Sequence, residues 1–127
     1  LVDLPGYGFA KVSRSQREAW RRLFQSYLAA VDRPMAVFQL LDVRHRPTAD
    51  DQEVAGWIRE AGHPCAIAAT KIDKLGVTKL AGRYRELIEV LGCAADTPFI
   101  PTSAEKGKGR DEMLAWVEAL LAANVEP

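Results

Sequence analysis

Short apolar runs of strand length alternate with amphipathic helical patterns along the chain, and this alternation constrains the fold more than any other feature. The strand-length runs lie at residues 35–43, 65–71 and 99–102, and residues 1–3 have the character of a strand end. The helical patterns cover residues 15–31, 50–61, 78–91 and 110–123. Strands that alternate with helices form βαβ units, whose strands are parallel. The sequence therefore predicts one α/β domain with a mainly parallel sheet.

The ends of the predicted helices carry residues that commonly begin or stop a helix. Ser15 and Glu18 have the spacing of a capping box, and Thr78 is expected to cap the third helix. Gly62 and Gly92 follow the second and third helices, in the position that Gly favours after a helix. The last helix offers six apolar residues to the core: Met113, Leu114, Trp116, Val117, Leu120 and Leu121.

The composition is that of an ordinary globular domain. Of the 127 residues, 48% are apolar and 27% charged, and Lys plus Arg equals Asp plus Glu at 17 each. The balanced charge favours neither a nucleic-acid nor a membrane partner. No apolar run approaches the ~20 residues of a membrane span, and no signal peptide is recognisable. Cys65 and Cys93 fit no zinc spacing and indicate reduced thiols. These features predict a cytoplasmic protein without a membrane partner.

Ligands of parallel α/β sheets bind beyond the carboxyl ends of the strands, and three motifs lie at such ends. The first is a DxxG pattern, Asp3-Leu4-Pro5-Gly6. An Asp in this place can hold Mg²⁺ through water, and Gly lets its backbone N–H approach a terminal phosphate because no Cβ intervenes. The same four residues are also good turn chemistry, so the motif alone does not decide between a site and a turn.

The second motif is Thr70-Lys71-Ile72-Asp73, at the end of a buried strand. A carboxylate here can accept two parallel hydrogen bonds from the N1–H and the exocyclic amine of guanine, and adenine lacks both donors. The aliphatic stem of Lys71 can lie along the face of the base. The alternative is a strand end that leads into a polar helix start.

The third motif is Thr102-Ser103-Ala104, after the last strand. A tight turn of small residues can direct a backbone N–H at the guanine O6, and the alternative is a plain loop. In this order, with helices between them, the three motifs resemble the DxxG, [NT]KxD and SA motifs of P-loop GTPases. The combination is far more specific than any one of its members.

Two longer segments narrow the resemblance. DLPGYGFAKVS at residues 3–13 is similar to the DLPGYGYAKVS of the EngB (YihA/YsxC) family of TRAFAC-class P-loop GTPases. DVRHRPT at residues 42–48 is similar to the D-x-R-H-x-P-T segment of that family. The resemblance covers essentially the whole chain. It implies a three-layer P-loop NTPase-type domain with a mainly parallel sheet, here without its N-terminal strands and first helix.

The resemblance also implies ligands and partners. It implies a bacterial protein that binds GTP or GDP together with Mg²⁺, with Asp3 acting through water and the direct metal ligands upstream of Leu1. It further implies a role in assembly of the large ribosomal subunit or its precursor, with a link to cell division and septation. Arg14, Arg17 and Arg21 share one side of a helix and can meet ribosomal RNA phosphates. The alternative is an ordinary solvated helix face.

Two features of such GTPases are missing from these 127 residues. There is no G-x-x-x-x-G-K-[ST] loop to hold phosphates, and no Thr-containing switch before the DxxG motif. The chain also begins with Leu1 inside an expected strand, which predicts a truncated N-terminus. Because the strand that carries the phosphate loop would lie inside the sheet, we expect that the 127 residues alone do not fold cooperatively.

The expected chemistry is slow. Tyr7 follows the DxxG motif, where many GTPases have a Gln that orients the attacking water, so the sequence predicts slow intrinsic GTP hydrolysis.

Three alternative functions stay open: a related GTPase with another partner, a degenerate non-hydrolysing module that docks RNA or protein, and an ordinary α/β domain whose motif matches are accidental. A preference for guanine over adenine that is lost in Asp73→Asn would exclude the last.

Overall fold

The computed structural model describes residues 1–4, 6, 12–30 and 32–124. The helices are α1 (Arg14–Ala30), α2 (Ala49–Ala61), α3 (Val77–Leu91) and α4 (Arg110–Ala123), and a short 3-10 helix spans Ile72–Lys74. The strands are β1 (Val37–Asp42), β2 (Cys65–Thr70) and β3 (Phe99–Pro101). Every helix and strand predicted between residues 12 and 124 is therefore present, with bounds that differ only at the ends.

The three strands form one parallel sheet in the order β1-β2-β3. Val37 lies opposite Cys65, Asp42 lies opposite Thr70, and Ile67 of β2 lies opposite Phe99 of β3. Because all strands run in the same direction, their carboxyl ends meet along one edge of the sheet. The predicted α/β class with a parallel sheet is confirmed.

Helices cover both faces of the sheet. One face packs against α2 and α3 in a cluster of buried side chains: Leu41, Val43, Ala55, Ile67, Ala69, Leu87 and Leu91. Side chains alternate between the two faces of a strand, so Phe38 points away from this cluster. On that opposite face the ring of Phe38 meets Trp116 of α4, with centroids 4.9 Å apart. The sheet therefore lies between two helical layers.

A second cluster joins α1 to α2. Its buried members are Phe24, Leu28, Val54 and Ile58. The rings of Trp20 and Phe24 stack with centroids 5.2 Å apart, and Trp57 lies 5.9 Å from Phe24.

Among the helices that the structure describes, none is long and apolar enough to cross a membrane.

The helix starts differ from the predicted ones. Ser13, not Ser15, caps α1: the Gln16 N–H donates to Ser13 Oγ at 3.2 Å, and the Ser13 N–H donates to Gln16 Oε1 at 3.0 Å. This pair satisfies the free N–H groups because Ser13 precedes the helix, whereas Ser15 and Glu18 already lie inside it.

The third helix also starts earlier than predicted. Gly76 precedes α3 in an extended conformation, and Thr78 is already a helical residue, so its side chain cannot act as the cap. The predicted stops are confirmed, since Gly62 and Gly92 follow α2 and α3 with φ of 73° and 63°.

The strand end predicted at residues 1–3 is wrong. Residues 1–4 are irregular and exposed. A strand is stable only when its backbone N–H and C=O groups pair with a neighbour. In the part of the chain that the structure describes, the sheet contains β1, β2 and β3 alone, and none of them pairs with residues 1–3.

Candidate functional site

The carboxyl ends of the three strands bring two of the predicted motifs together. We call the group formed by Asp42, residues 70–73 and residues 102–104 the carboxyl edge. The loops after β2 and β3 are joined by backbone hydrogen bonds: the Ile72 N–H donates to Thr102 O at 3.2 Å, and the Thr102 N–H donates to Ala69 O at 2.7 Å. The motifs at residues 70–73 and 102–104 therefore form one continuous surface.

Asp73 is held in place by Ser103. The Ser103 hydroxyl donates to Asp73 Oδ1 at 2.6 Å, and Ser103 itself is fully buried. This hydrogen bond keeps the pKa of Asp73 below its ordinary value, with a smaller contribution from Lys74, whose ammonium lies 3.4 Å from Asp73 Oδ2. The carboxylate, whose side chain is 11% exposed, is thus ionised and fixed at neutral pH.

The loop after β3 is closed on itself. Ser103 exchanges two backbone hydrogen bonds with Lys108, at 3.1 and 3.0 Å, and the Lys106 N–H donates to Ser103 Oγ at 3.1 Å. Ala104 lies exposed at the turn, and no hydrogen bond of its N–H is found among the described residues. The ion pair between Lys74 and Glu105, at 2.8 Å, links this loop to the one that carries Asp73.

Gly109 allows this loop to close. Its φ is 82°, and a Cβ at this position would lie 2.4 Å from the Pro101 carbonyl oxygen and 2.6 Å from Thr102 Cγ2. Any other residue would push β3 and the loop apart. Sequence reasoning missed this residue, because its positive φ and close contacts depend on how the loop folds back on β3.

The residues at the end of β2 are oriented by β1. The Thr70 hydroxyl donates to Leu41 O at 3.3 Å, so it is used within the sheet. Lys71 adopts a left-handed backbone conformation, with φ of 61° and ψ of 35°. Its ammonium lies 3.0 Å from Asp42 Oδ2, and about half of its side chain is exposed.

Asp42 is an acidic residue of the carboxyl edge that sequence reasoning did not assign to the site. Arg44 binds its carboxylate through the backbone N–H and Nε, each 3.0 Å from Oδ1, and through Nη2, 2.7 Å from Oδ2. These hydrogen bonds, together with Lys71, hold the pKa of Asp42 well below its usual range. The signal in the sequence was the D-x-R spacing directly after a strand, which places an Arg two residues beyond the Asp and within reach of its carboxylate.

The described residues of the DxxG motif make no hydrogen bond or ion pair with the carboxyl edge. They are Asp3, Leu4 and Gly6, and all three are exposed. Pro5 lies outside the described residues, as do Tyr7 and Lys11.

The described residues do not form a Mg²⁺ site on their own. No group of three His, Cys, Asp or Glu side chains that could hold a metal lies among them, and Asp3 offers a single carboxylate. Mg²⁺ needs close to octahedral oxygen coordination, which a single carboxylate supplies only together with water and phosphate oxygens.

The basic side of α1 is partly engaged in ion pairs with α2. Arg21 binds Glu53 of α2 at 2.6 Å and lies 3.9 Å from Asp50, whereas Arg14 and Arg17 are exposed. Arg21 therefore joins two helices, and its charge is largely matched within the chain.

No family model matches the chain. The "Probable GTP-binding protein EngB" of Gemmatimonas aurantiaca is 44% identical over 122 residues, which are 96% of this chain and 59% of that protein. The protein of the same name from Pelotomaculum thermopropionicum is 45% identical over 114 residues, 90% of this chain and 58% of that protein. The chain thus spans about three fifths of the length of these relatives.

Solved structures resemble the fold. A crystal structure of a probable GTP-binding protein engB matches 95% of this chain and 75% of its own length, with a TM-score of 0.79 and 19% identity. The apo form of translation elongation factor SelB from Methanococcus maripaludis matches 99% of this chain and 25% of its own, with a TM-score of 0.71 and 20% identity. The expected P-loop GTPase-type fold is confirmed by these likenesses.

Proposed function

Because this chain belongs to the EngB family, we propose that it binds guanine nucleotides at the carboxyl edge of its sheet and forms the base-binding part of a cytoplasmic GTPase. The observation that carries the proposal is the ionised carboxylate of Asp73, fixed by the buried Ser103 at 2.6 Å. A fixed carboxylate at the end of a parallel strand is an acceptor that needs no reorganisation when a ligand arrives.

The carboxylate suits guanine for a simple chemical reason. A carboxylate has about four lone-pair directions; Ser103 uses one of them on Oδ1, and the Lys74 ammonium lies near Oδ2. The others can accept the N1–H and the exocyclic amine of guanine, and adenine presents neither donor. The backbone N–H of Ala104, an exposed residue, would bind the guanine O6, and the stem of Lys71 would lie along the base.

The phosphate end of the nucleotide is a further part of the proposal. We assign Asp3, Leu4, Pro5 and Gly6 to the terminal phosphate, with Asp3 acting on Mg²⁺ through water. When bound, the ion would neutralise charge on the phosphates. The sequence feature that supports this is the DxxG motif, and the Tyr7 that follows it predicts slow hydrolysis of GTP to GDP and phosphate.

The proposed partner is the large ribosomal subunit or its precursor, with a link to cell division and septation. This part rests on the family resemblance of DLPGYGFAKVS and DVRHRPT. The exposed Arg14 and Arg17 can meet RNA phosphates, whereas Arg21 would have to leave Glu53 to do so.

The test is a binding measurement with Asp73→Asn in the full-length protein. Two charge-assisted hydrogen bonds of about 1.5–3 kcal/mol each would be lost, so we expect the affinity for GDP to fall roughly 100-fold or more. Glu105→Gln is the matched control, because it changes a carboxylate of the same surface that points to Lys74. Unchanged GDP affinity in Asp73→Asn would show that the base site is assigned wrongly.

A further inference from the structure

Asp42 connects the ends of two strands through a network of charges. It is the last residue of β1 and lies opposite Thr70, the residue that precedes Lys71. Its Oδ2 lies 3.0 Å from the Lys71 ammonium. The register of the parallel pair therefore sets the distance between this carboxylate and the first residue after β2.

Lys71 has an unusual backbone conformation and a partly exposed side chain. Among the described residues it is the only non-glycine residue with a positive φ, 61°. The backbone of a non-glycine residue with a positive φ is strained, and the residue keeps this conformation only when its surroundings hold it. Without Asp42, the Lys71 ammonium would have no ion-pair partner among the described residues, and about half of the side chain is exposed to solvent.

Asp42 is itself fixed. Arg44 donates from its backbone N–H and Nε to Oδ1 and from Nη2 to Oδ2, so the carboxylate cannot rotate without breaking several charge-assisted hydrogen bonds. Arg44 is two residues along the chain from Asp42, so the arrangement is local. The Lys71 ammonium therefore has a stationary partner.

We propose that Asp42 is a positioning residue for the guanine base: fixed by Arg44, it holds the Lys71 side chain in the conformation in which the Lys71 stem lies along the base. The inference rests on the proposed function and deepens it. Asp42 acts through Lys71 and touches no part of the nucleotide. Its removal therefore weakens GDP and GTP binding by the same factor, because the phosphates play no part in the contact.

The experiment is a double-mutant cycle in the full-length protein, with Asp42→Asn, Lys71→Met and the double variant. Affinities for fluorescently labelled GDP and GTP are measured, and melting curves of each variant monitor folding. Asp42→Asn is expected to weaken both nucleotides by about 5-fold, the size typical of a partly exposed ion pair. In the Lys71→Met background the same change is expected to have no effect.

Arg46→Gln is the matched control. Arg46 lies in the same loop, but its side chain is 69% exposed and pairs with Glu86 at 3.7 Å. We expect its substitution to leave both affinities unchanged. If Asp42→Asn fails to fold, Arg44→Gln takes its place in the cycle, because it keeps the Asp42 carboxylate but loosens it. Arg44→Gln is expected to cause a smaller loss of nucleotide affinity, and that loss must also be absent in the Lys71→Met background.

The outcomes separate this inference from the proposed function. An Asp42→Asn protein with unchanged affinities, or one whose loss adds to that of Lys71→Met, overturns the positioning role while guanine binding by Asp73 stands. A loss confined to GTP overturns it as well, since the effect would then lie at the phosphates. If the unmodified protein binds no guanine nucleotide, the proposed function fails and the positioning role fails with it.

Discussion

Hydrogen bonds between neighbouring strands fix the individual residues of the carboxyl edge. Asp73 depends on Ser103, and Lys71 depends on Asp42. Each of these pairs joins two different strand ends, so a substitution on one strand changes the geometry of a residue on the next. Gly109 also acts as a single residue: the loop after β3 can close because this residue has no Cβ.

Gly109→Ala is expected to destabilise the full-length protein. The added Cβ would lie 2.4 Å from the Pro101 oxygen, and the φ of 82° is unfavourable for Ala. We expect the free energy of unfolding to fall by about 2–4 kcal/mol in urea denaturation. Gly107→Ala is the control: its φ is also positive, 66°, but nothing lies within 4 Å, so it should cost only about 1 kcal/mol. Equal costs for the two would contradict the steric argument.

Ser103→Ala is expected to reduce the dependence of stability on pH. The Ser103 hydroxyl lowers the pKa of Asp73 below its ordinary value of 3.8. A carboxyl whose pKa is depressed in the folded state contributes stability above its unfolded pKa, and that contribution is lost as pH falls through the folded pKa. The stability difference between the unmodified protein and Ser103→Ala should therefore be largest above about pH 4 and shrink below it. Urea titrations at several pH values measure it, and a difference that grows on acidification would refute the assignment.

At the scale of elements, helix starts are decided by which residue lies just outside the helix. Thr48 caps α2 in a full capping box: its hydroxyl accepts from the Asp51 N–H at 3.1 Å, and its own N–H donates to Asp51 Oδ2 at 2.7 Å. Thr78 resembles a cap in sequence but lies inside α3. The predicted helix patterns located the helices well, whereas the choice of cap required the backbone conformation of the residue before each helix.

The two threonines give a direct test. Thr48→Ala should lower the free energy of unfolding of the full-length protein by about 1 kcal/mol, because the Asp51 N–H loses the hydroxyl that accepts its hydrogen bond. Thr78→Ala should change it by less than about 0.5 kcal/mol, since Thr78 is exposed within a helix and Ala is a better helix former. Thermal or urea unfolding compares them, and a larger loss in Thr78→Ala would mean that α3 begins where the sequence pattern placed it.

At the scale of the whole molecule, the described sheet leaves apolar surface uncovered. Leu40 of β1 is 61% exposed, and Leu114 and Leu121 of α4 are 49% and 61% exposed, although helical periodicity offered both leucines to the core. No residue of α4 is buried. In the part of the chain that the structure describes, β1 is an edge strand whose outer backbone groups have no strand partner. An edge of this kind exposes a row of unpaired N–H and C=O groups.

The 127-residue chain alone is therefore expected to melt over a broad temperature range. Net stability of a domain is only about 5–15 kcal/mol, and uncovered apolar surface and an open strand edge remove much of the packing that makes unfolding cooperative. The measurement is circular dichroism of the isolated chain during heating, with the full-length protein as the control. A sharp two-state transition of the isolated chain would disprove this expectation.

The sequence by itself determined the type and order of the helices and strands, the parallel sheet and the two motifs that meet at its edge. These depend on local patterns: apolar periodicity, glycines after helices, and polar residues directly after buried strands. Only the tertiary structure decided that Ser103 fixes Asp73, that Glu105 binds Lys74 and that Asp42 anchors Lys71. The first two pairs are separated by 30 and 31 residues along the chain. Such contacts follow from strand register and loop closure, which bring distant residues within hydrogen-bond distance and which no local pattern specifies.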